Sequence, residues 1–422
     1  MISRVSQHVS RQPGKLTGSA LWGGGILDTK GTMTTIDSAV VDASTILAEA
    51  HRIAPLLRAQ GVQVEAARRL TTPVVEALRS TGVFRMAMPR AWGGPEVDLL
   101  AQVKILEVLS AADASAGWCA MIGADSGFYG AALSDADGRE LYPELDSVTA
   151  GFVLPSGALE VTDGGYRLSG RWSFGSGCTH ADVISGGALV TMGGVPLPGP
   201  DGQPQARIAL LPASEAEVHD TWHTTGLCGS GSHDYSIKDA FVPSGHTFAL
   251  DGPRRRESTL YSWPGLFAAT IVAVPLGAAT DALDSAMEIL AGKINMPDKT
   301  MARDEPRVRT GIARAQAMVG SSRSYAYDTL SHFWSRLESG DEPSFAERAA
   351  LAGCLVHTIT TCRDAVAILV ESVGSAAIRR GCRLERHHRD LITMGQHLLG
   401  QPKMREWAGG LWFGQVPPNP VL

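Results

Sequence analysis

The chain has 422 residues, 44% hydrophobic and 19% charged, with 37 basic and 43 acidic side chains and a formal net charge of −6. That composition excludes a disordered chain, a collagen-like repeat and a small disulfide-stapled module. The balanced charge leaves no electrostatic footprint for nucleic acid or an anionic membrane. The length allows two or three domains at roughly 150 residues each. Cysteines stand at 119, 178, 228, 354, 362 and 382 without a CxxC pair. They read as reduced thiols of a cytoplasmic protein.

In chain order, residues 1–37 are expected to be a disordered extension. Gly, Ser, Thr and Gln dominate there, no continuous apolar segment of a signal peptide is present, and Met33 offers an alternative start. Residues 38–146 read as a helical domain. Leu99–Ala112 is a strong amphipathic helix, Pro89–Gly94 is a loop, and Asp113 and Ser115 stand where an N-cap is wanted before Trp118–Leu133.

Residues 147–250 read as a β domain. Glu160–Thr162, Asp163-Gly164-Gly165 and Tyr166–Phe174 form a hairpin with a DG turn. Val183–Met192, Ala206–Leu211, Val218–Trp222 and Tyr235–Val242 are further strands. Residues 251–422 return to long helices: Leu266–Ile294, Arg307–Leu337, Ser344–Ser372 and Asp390–Leu399. The longest apolar run, Leu266–Ala279, is well short of the roughly 20 residues a spanning helix needs. It is expected to be a buried helix.

Several chemistries are absent as motifs. No GxGxxG joins a strand to a helix, and no P-loop, HExxH or GxSxG occurs. Cys354, His357 and Cys362 share a helix but read as core, so no metal site is expected. Three segments remain. In Gly170–Gly177 (GRWSFGSG), strand alternation puts Trp172, Phe174 and Ser176 on one face. That face suits a planar ligand: the ring stacks, the hydroxyl bonds an edge, and Gly177 lets backbone approach. The alternative is an ordinary half-buried strand. In Arg386–His397 (RHHRDLITMGQH), Asp390 is placed to cap a helix and His397 lies two turns on. Trp222–Ser232 (WHTTGLCGSGS) reads by itself as a glycine-rich turn.

Taken together, in helix–β–helix order, these segments resemble the acyl-CoA dehydrogenase fold superfamily over roughly residues 40–415. They look most like its reduced-flavin-dependent branch, the two-component (group D) monooxygenases. The resemblance implies an α+β chain with an N-terminal helical domain, a central β-barrel or sandwich and a C-terminal helical bundle. It implies Phe174 against the isoalloxazine, Ser176 near flavin N5, and Phe152 and Val153 along the pyrimidine edge. Arg303 and Arg307 become candidates for the flavin phosphate across a subunit interface. Trp118 and Met121 are candidates for substrate contact. Where acyl-CoA dehydrogenases commonly carry a catalytic glutamate, this chain has Gly395, Gln396 and His397. That tilts the expectation away from an FAD-dependent acyl-CoA dehydrogenase and toward a flavin-dependent monooxygenase, with an amino-sugar N-oxygenase of the same fold as a further alternative.

The implied chemistry uses reduced FMN or FAD and O2 through a C4a-hydroperoxide, protected by Ser176 at N5 and by a proton-sharing His397 that titrates near working pH. No nicotinamide fingerprint occurs, so a separate NAD(P)H-dependent flavin reductase is the expected partner. A homotetramer, a small aromatic or polycyclic substrate, no nucleic acid and no membrane complete the expectation. One departure stands out. Phenol-hydroxylating members often carry a histidine after the Gly-Trp pair, and here Asp125 or Ser126 holds that slot. Asp125 is the candidate base.

Overall fold

The computed structural model describes residues 41–199, 202–250, 252 and 255–417. The expected extension, residues 1–37, lies outside the described residues. Six helices come first: α1 (Ala43–Ala67), α2 (Thr72–Thr81), α3 (Leu99–Ala112), α4 (Ala114–Ala124), α5 (Ser126–Ala131) and α6 (Asp135–Leu141). The α3 boundaries are those its apolar pattern predicts. The Asp98 carboxylate caps its start and Asp113 caps α4 by accepting from Ala116 N–H. The expected single helix Trp118–Leu133 breaks at Asp125 into α4 and α5.

The strands are β1 (Thr149–Thr162), β2 (Gly165–Gly175), β3 (Val183–Met192), β4 (Val195–Pro196), β5 (Ala206–Pro212), β6 (Glu217–His219), β7 (His233–Pro243) and β8 (Thr247–Phe248). They form one mixed sheet in the order β6-β7-β2-β1-β3-β5-β8, with β4 on β3. β1 pairs antiparallel with β2 and parallel with β3. The first half of β1 escapes a propensity reading because Gly151, Pro155 and Gly157 lie inside it. There the strand shifts register between Phe152 and Gly157.

The C-terminal half holds α7 (Leu266–Ala269), α8 (Ala273–Gly292), β9 (Ile294–Asn295), β10 (Thr300–Met301), α9 (Pro306–Glu338), α10 (Phe345–Val373), α11 (Arg383–Met394) and α12 (Pro402–Leu411). Ser344 and Glu347 cap α10 reciprocally. Two helical stretches, Leu266–Gly292 and Phe345–Ile378, are long and apolar enough to cross a membrane, but 78% and 56% of their apolar windows is buried inside the fold. They serve as core helices. One apolar core joins the first helices to the last, including Leu106, Trp118, Leu276 and Ile359. A second fills one sheet face around Trp172 and Tyr235, and a third seats Trp92 and Tyr129 against Ile208 and Leu210. This is the α+β architecture expected, with its central part formed as a single mixed sheet.

Candidate functional site

The site forms where α4, the end of β2, the 222–232 loop and the turn after α11 meet. β2 loses its period of two there. Its pairing with β7 shifts between Trp172 and Gly175. Phe174 takes φ +64°, and the Ser176 N–H donates back to the Phe174 carbonyl at 2.8 Å. A bulky side chain in this left-handed region costs of order 1–3 kcal/mol and persists where the surroundings impose it. The result is a phenyl ring 59% exposed, with Phe152 at 6.5 Å and Trp222 edge-on at 6.3 Å.

The same shift separates Trp172 from this face. It is 1% exposed, stacks on Tyr235 at 5.4 Å, and donates its N–H to the Gly187 carbonyl. Trp172 is therefore a core residue of the sheet and is not available to a cofactor, contrary to the alternation argument. Gly177 also differs from expectation. Its N–H donates to the Ser230 carbonyl at 2.9 Å, and its φ of +78° makes it the turn glycine that returns the chain.

Ser176 is buried at the centre of the convergence. The Trp118 indole N–H donates to Ser176 Oγ at 3.0 Å, and Ser176 Oγ lies 2.7 Å from Ser232 Oγ. Ser232 Oγ lies 2.7 Å from Ser230 Oγ, which donates to the Leu227 carbonyl at 2.7 Å. The Trp118 ring meets the His397 ring edge-on, centroids 5.5 Å apart.

His397 lies beyond the end of α11, not on it. The helix runs Arg383–Met394, so Asp390 sits inside it and does not cap it. His397 instead caps the following 3₁₀ turn, its Nδ1 accepting from Leu399 N–H at 3.3 Å. That bond assigns the neutral ring's proton to Nε2. The ring is solvent-accessible but closely surrounded by protein, and desolvation lowers its pKa to about 4. The lowered pKa runs against the expected titration near working pH and leaves a neutral ring with its proton on Nε2.

α11 also fixes the loop. The Asp390 carboxylate accepts from Leu227 N–H at 2.6 Å, and Arg389 donates to the Thr225 carbonyl at 2.6 Å. Between these bonds Gly226 lies against the α11 backbone. A Cβ there would stand 2.1 Å from the Arg389 carbonyl oxygen. Arg386 reaches within 3.8 Å of Asp113, the cap of the helix that carries Trp118.

The remaining expected residues fall as follows. Asp125 closes α4 and is 6% exposed, and its backbone carbonyl accepts from Tyr129 N–H at 3.1 Å. Burial without a counter-charge pushes its pKa well above the carboxylate range, which favours the neutral acid over a base. Ser126 is fully buried and spent: it donates to the Gly123 carbonyl and bonds Thr149 at both hydroxyl and N–H. It joins α5 to β1 and has no free hydroxyl for chemistry. Met121 packs in the helical core, and Val153 packs beside the cluster around Trp92 and Tyr129. Arg303, in the 3₁₀ turn before α9, and Arg307, in the first turn of α9, are exposed and bond the Ala291 and Glu371 carbonyls, and no bond joins them to the other site residues among the described residues. Sequence alone does not mark Ser230, Ser232 and Trp222 as site residues; the GSGS run before β7 is the available signal. Among the described residues no group of three or more His, Cys, Asp or Glu is placed to hold a metal.

Comparison with known proteins fits this geometry. Residues 49–136 match the acyl-CoA dehydrogenase N-terminal domain and residues 269–402 its C-terminal domain. Indole-3-acetate monooxygenase of Pseudomonas putida is 30% identical over 85% of this chain and 91% of its own. The flavin-dependent monooxygenase oxygenase subunit HsaA of Mycobacterium tuberculosis (strain H37Rv) is 27% identical over 90% of this chain and 98% of its own. The crystal structure of 3-HSA hydroxylase from Rhodococcus sp. RHA1 superposes with TM-score 0.82 at 25% identity, covering 90% of this chain and 99% of that one. With its helix–sheet–helix order, its exposed Phe174 and the Trp118–Ser176–His397 convergence, this chain belongs to the acyl-CoA dehydrogenase superfamily, among its flavin-dependent monooxygenases.

Proposed function

We propose that the chain is the oxygenase component of a two-component system. It takes reduced FMN or FAD from a separate NAD(P)H-dependent flavin reductase and oxygenates a small aromatic or polycyclic substrate in the cytoplasm. The carrying observation is the convergence of Trp118, Ser176 and His397, with the exposed Phe174 two residues before Ser176 on the same turn. The residues fit a planar cofactor. Phe174 offers an exposed ring for stacking, and Ser176 offers a buried oxygen to its edge.

When bound, reduced flavin supplies the two electrons that activate O2. The chain's own residues bind, orient and exclude water. Ser176 accepts a hydrogen bond at the cofactor edge. His397 presents its Nε2 proton and, with a pKa near 4, stays neutral across the physiological range. Trp118 fixes both by its N–H and its ring edge. No carboxylate side chain occurs in Leu391–Gly400, which disfavours proton abstraction alpha to a thioester.

Rapid mixing of protein and reduced flavin with O2 tests the reading. The expected result is a transient absorbance to the blue of oxidised flavin. His397→Ala should release more free peroxide per flavin oxidised than the parent protein. In the parent, that coupling should be flat from about pH 5 to 8, because His397 does not titrate there. Bleaching of oxidised flavin by an acyl-CoA would overturn the proposal.

A further inference from the structure

We infer that Ser232 and Ser230 fix the direction of the Ser176 hydroxyl and so make the site select reduced over oxidised flavin. The inference rests on the flavin reading of the site. It follows from counting protons along the hydroxyl chain. A serine hydroxyl has one proton and two lone pairs, a carbonyl only accepts, and an indole N–H only donates.

At one end, Ser230 Oγ lies 2.7 Å from the Leu227 carbonyl, so Ser230 spends its proton there. Ser230 can then only accept from Ser232, 2.7 Å away. Ser232 has spent its proton in turn and accepts from Ser176, also 2.7 Å away. At the other end, the Trp118 N–H occupies one Ser176 lone pair. Ser176 is left with a single unused lone pair and no proton to give. Any other arrangement sets two lone pairs face to face at 2.7 Å or leaves a buried donor unmet. The chain's end is held as well, because the Leu227 N–H is anchored by Asp390 and its carbonyl also accepts from the Trp222 indole.

The two redox forms of flavin differ at the atom such an oxygen would face. Reduced flavin carries N5–H, a donor. Oxidised flavin carries a bare N5, an acceptor. An acceptor-only Ser176 bonds the first and repels the second. Ser232 and Ser230 touch no cofactor in this arrangement. They are positioning residues, acting through Ser176. A protein that draws free reduced flavin from a mixed pool gains from this, and oxidised flavin leaves more readily after turnover.

Equilibrium binding of FMN and of anaerobically reduced FMN tests it without turnover. The parent protein should hold the reduced form at least tenfold more tightly. Ser232→Ala frees the Ser176 proton to turn toward N5, and the preference should fall roughly tenfold, about one hydrogen bond gained or lost. Ser230→Ala should shift the ratio the same way, and Ser232→Thr, which keeps a hydroxyl, should restore it. Failure of the parent to bind either form refutes the flavin site itself. Binding of both forms with the same ratio in the parent, Ser232→Ala and Ser230→Ala refutes the selection device while the site stands. If Ser232→Ala loses both forms, an unchanged ratio in Ser230→Ala likewise refutes it.

Discussion

Phe174 holds a backbone conformation that its side chain disfavours, and its ring is left more than half exposed. A core aromatic would do neither. The strain is retained because β7 and the Ser176–Phe174 bond impose the turn, and it serves to aim the ring away from the sheet. Phe174→Gly removes the strain, of order 1–3 kcal/mol, and adds backbone entropy to the unfolded chain worth about 0.5–1 kcal/mol. The thermal midpoint should therefore hold or rise while affinity for reduced flavin drops. Calorimetry and flavin titration on one preparation check both halves. A lower midpoint with unchanged affinity would mean that the ring supports the fold instead. His397 shows the same division at one residue. Its Nδ1 is spent on the turn, and its Nε2 is left for chemistry.

At the scale of elements, α11 joins the parts of the site. Asp390 and Arg389 clamp the 222–232 loop, and Arg386 approaches the cap of α4. Burial raises the Asp390 pKa to about 6, with Asp113 adding to the rise while His387, Leu227 N–H and Arg386 oppose it. The folded state thus binds more protons than the unfolded one between the ordinary carboxylate value of 3.8 and about 6. Stability from this group falls as pH rises through that window. Asp390→Asn keeps an acceptor for Leu227 N–H and removes the charge. Its denaturation midpoint should gain on the parent from pH 4 to 7, and an equal difference at both pH values would show that Asp390 does not titrate there. The clamp also shows what sequence can and cannot supply. Period and caps mark α3 and α10 because those signals are local. The three motifs are visible separately, and the resemblance places them in one site. That Gly226 is the point where α11 presses on the loop is a long-range fact, absent from any window of sequence. Trp172 misleads for a related reason: the register shift beyond it depends on β7, some sixty residues away.

For the whole molecule, the C-terminal half leaves large apolar side chains in water. Ile294 is 56% exposed, Met296 74%, Ile378 75% and Phe413 84%. Lys293 bonds the Val373 carbonyl, which ties the segment bearing Ile294 and Met296 to the end of α10, just before Ile378. Exposed apolar groups of this size commonly mark association surfaces. Arg303 and Arg307 belong to the same end, bonding Ala291 and Glu371. They cannot complete the site within one chain as placed here, but an assembly through this end can carry them to a partner. We expect assembly through this end, and the family resemblance implies a homotetramer in sedimentation, with Met296→Glu plus Ile378→Glu lowering the assembled mass while the helical signal is kept. Arg303→Ala plus Arg307→Ala should keep the assembly and weaken flavin binding, more for FMN or FAD than for riboflavin, which lacks the phosphate. Mixed refolding of that variant with Ser176→Ala should restore part of the binding, since some sites then receive a normal Ser176 from one chain and normal arginines from another. Absence of restoration, with assembly intact, would leave the arginines as surface residues of a single chain and place the phosphate elsewhere.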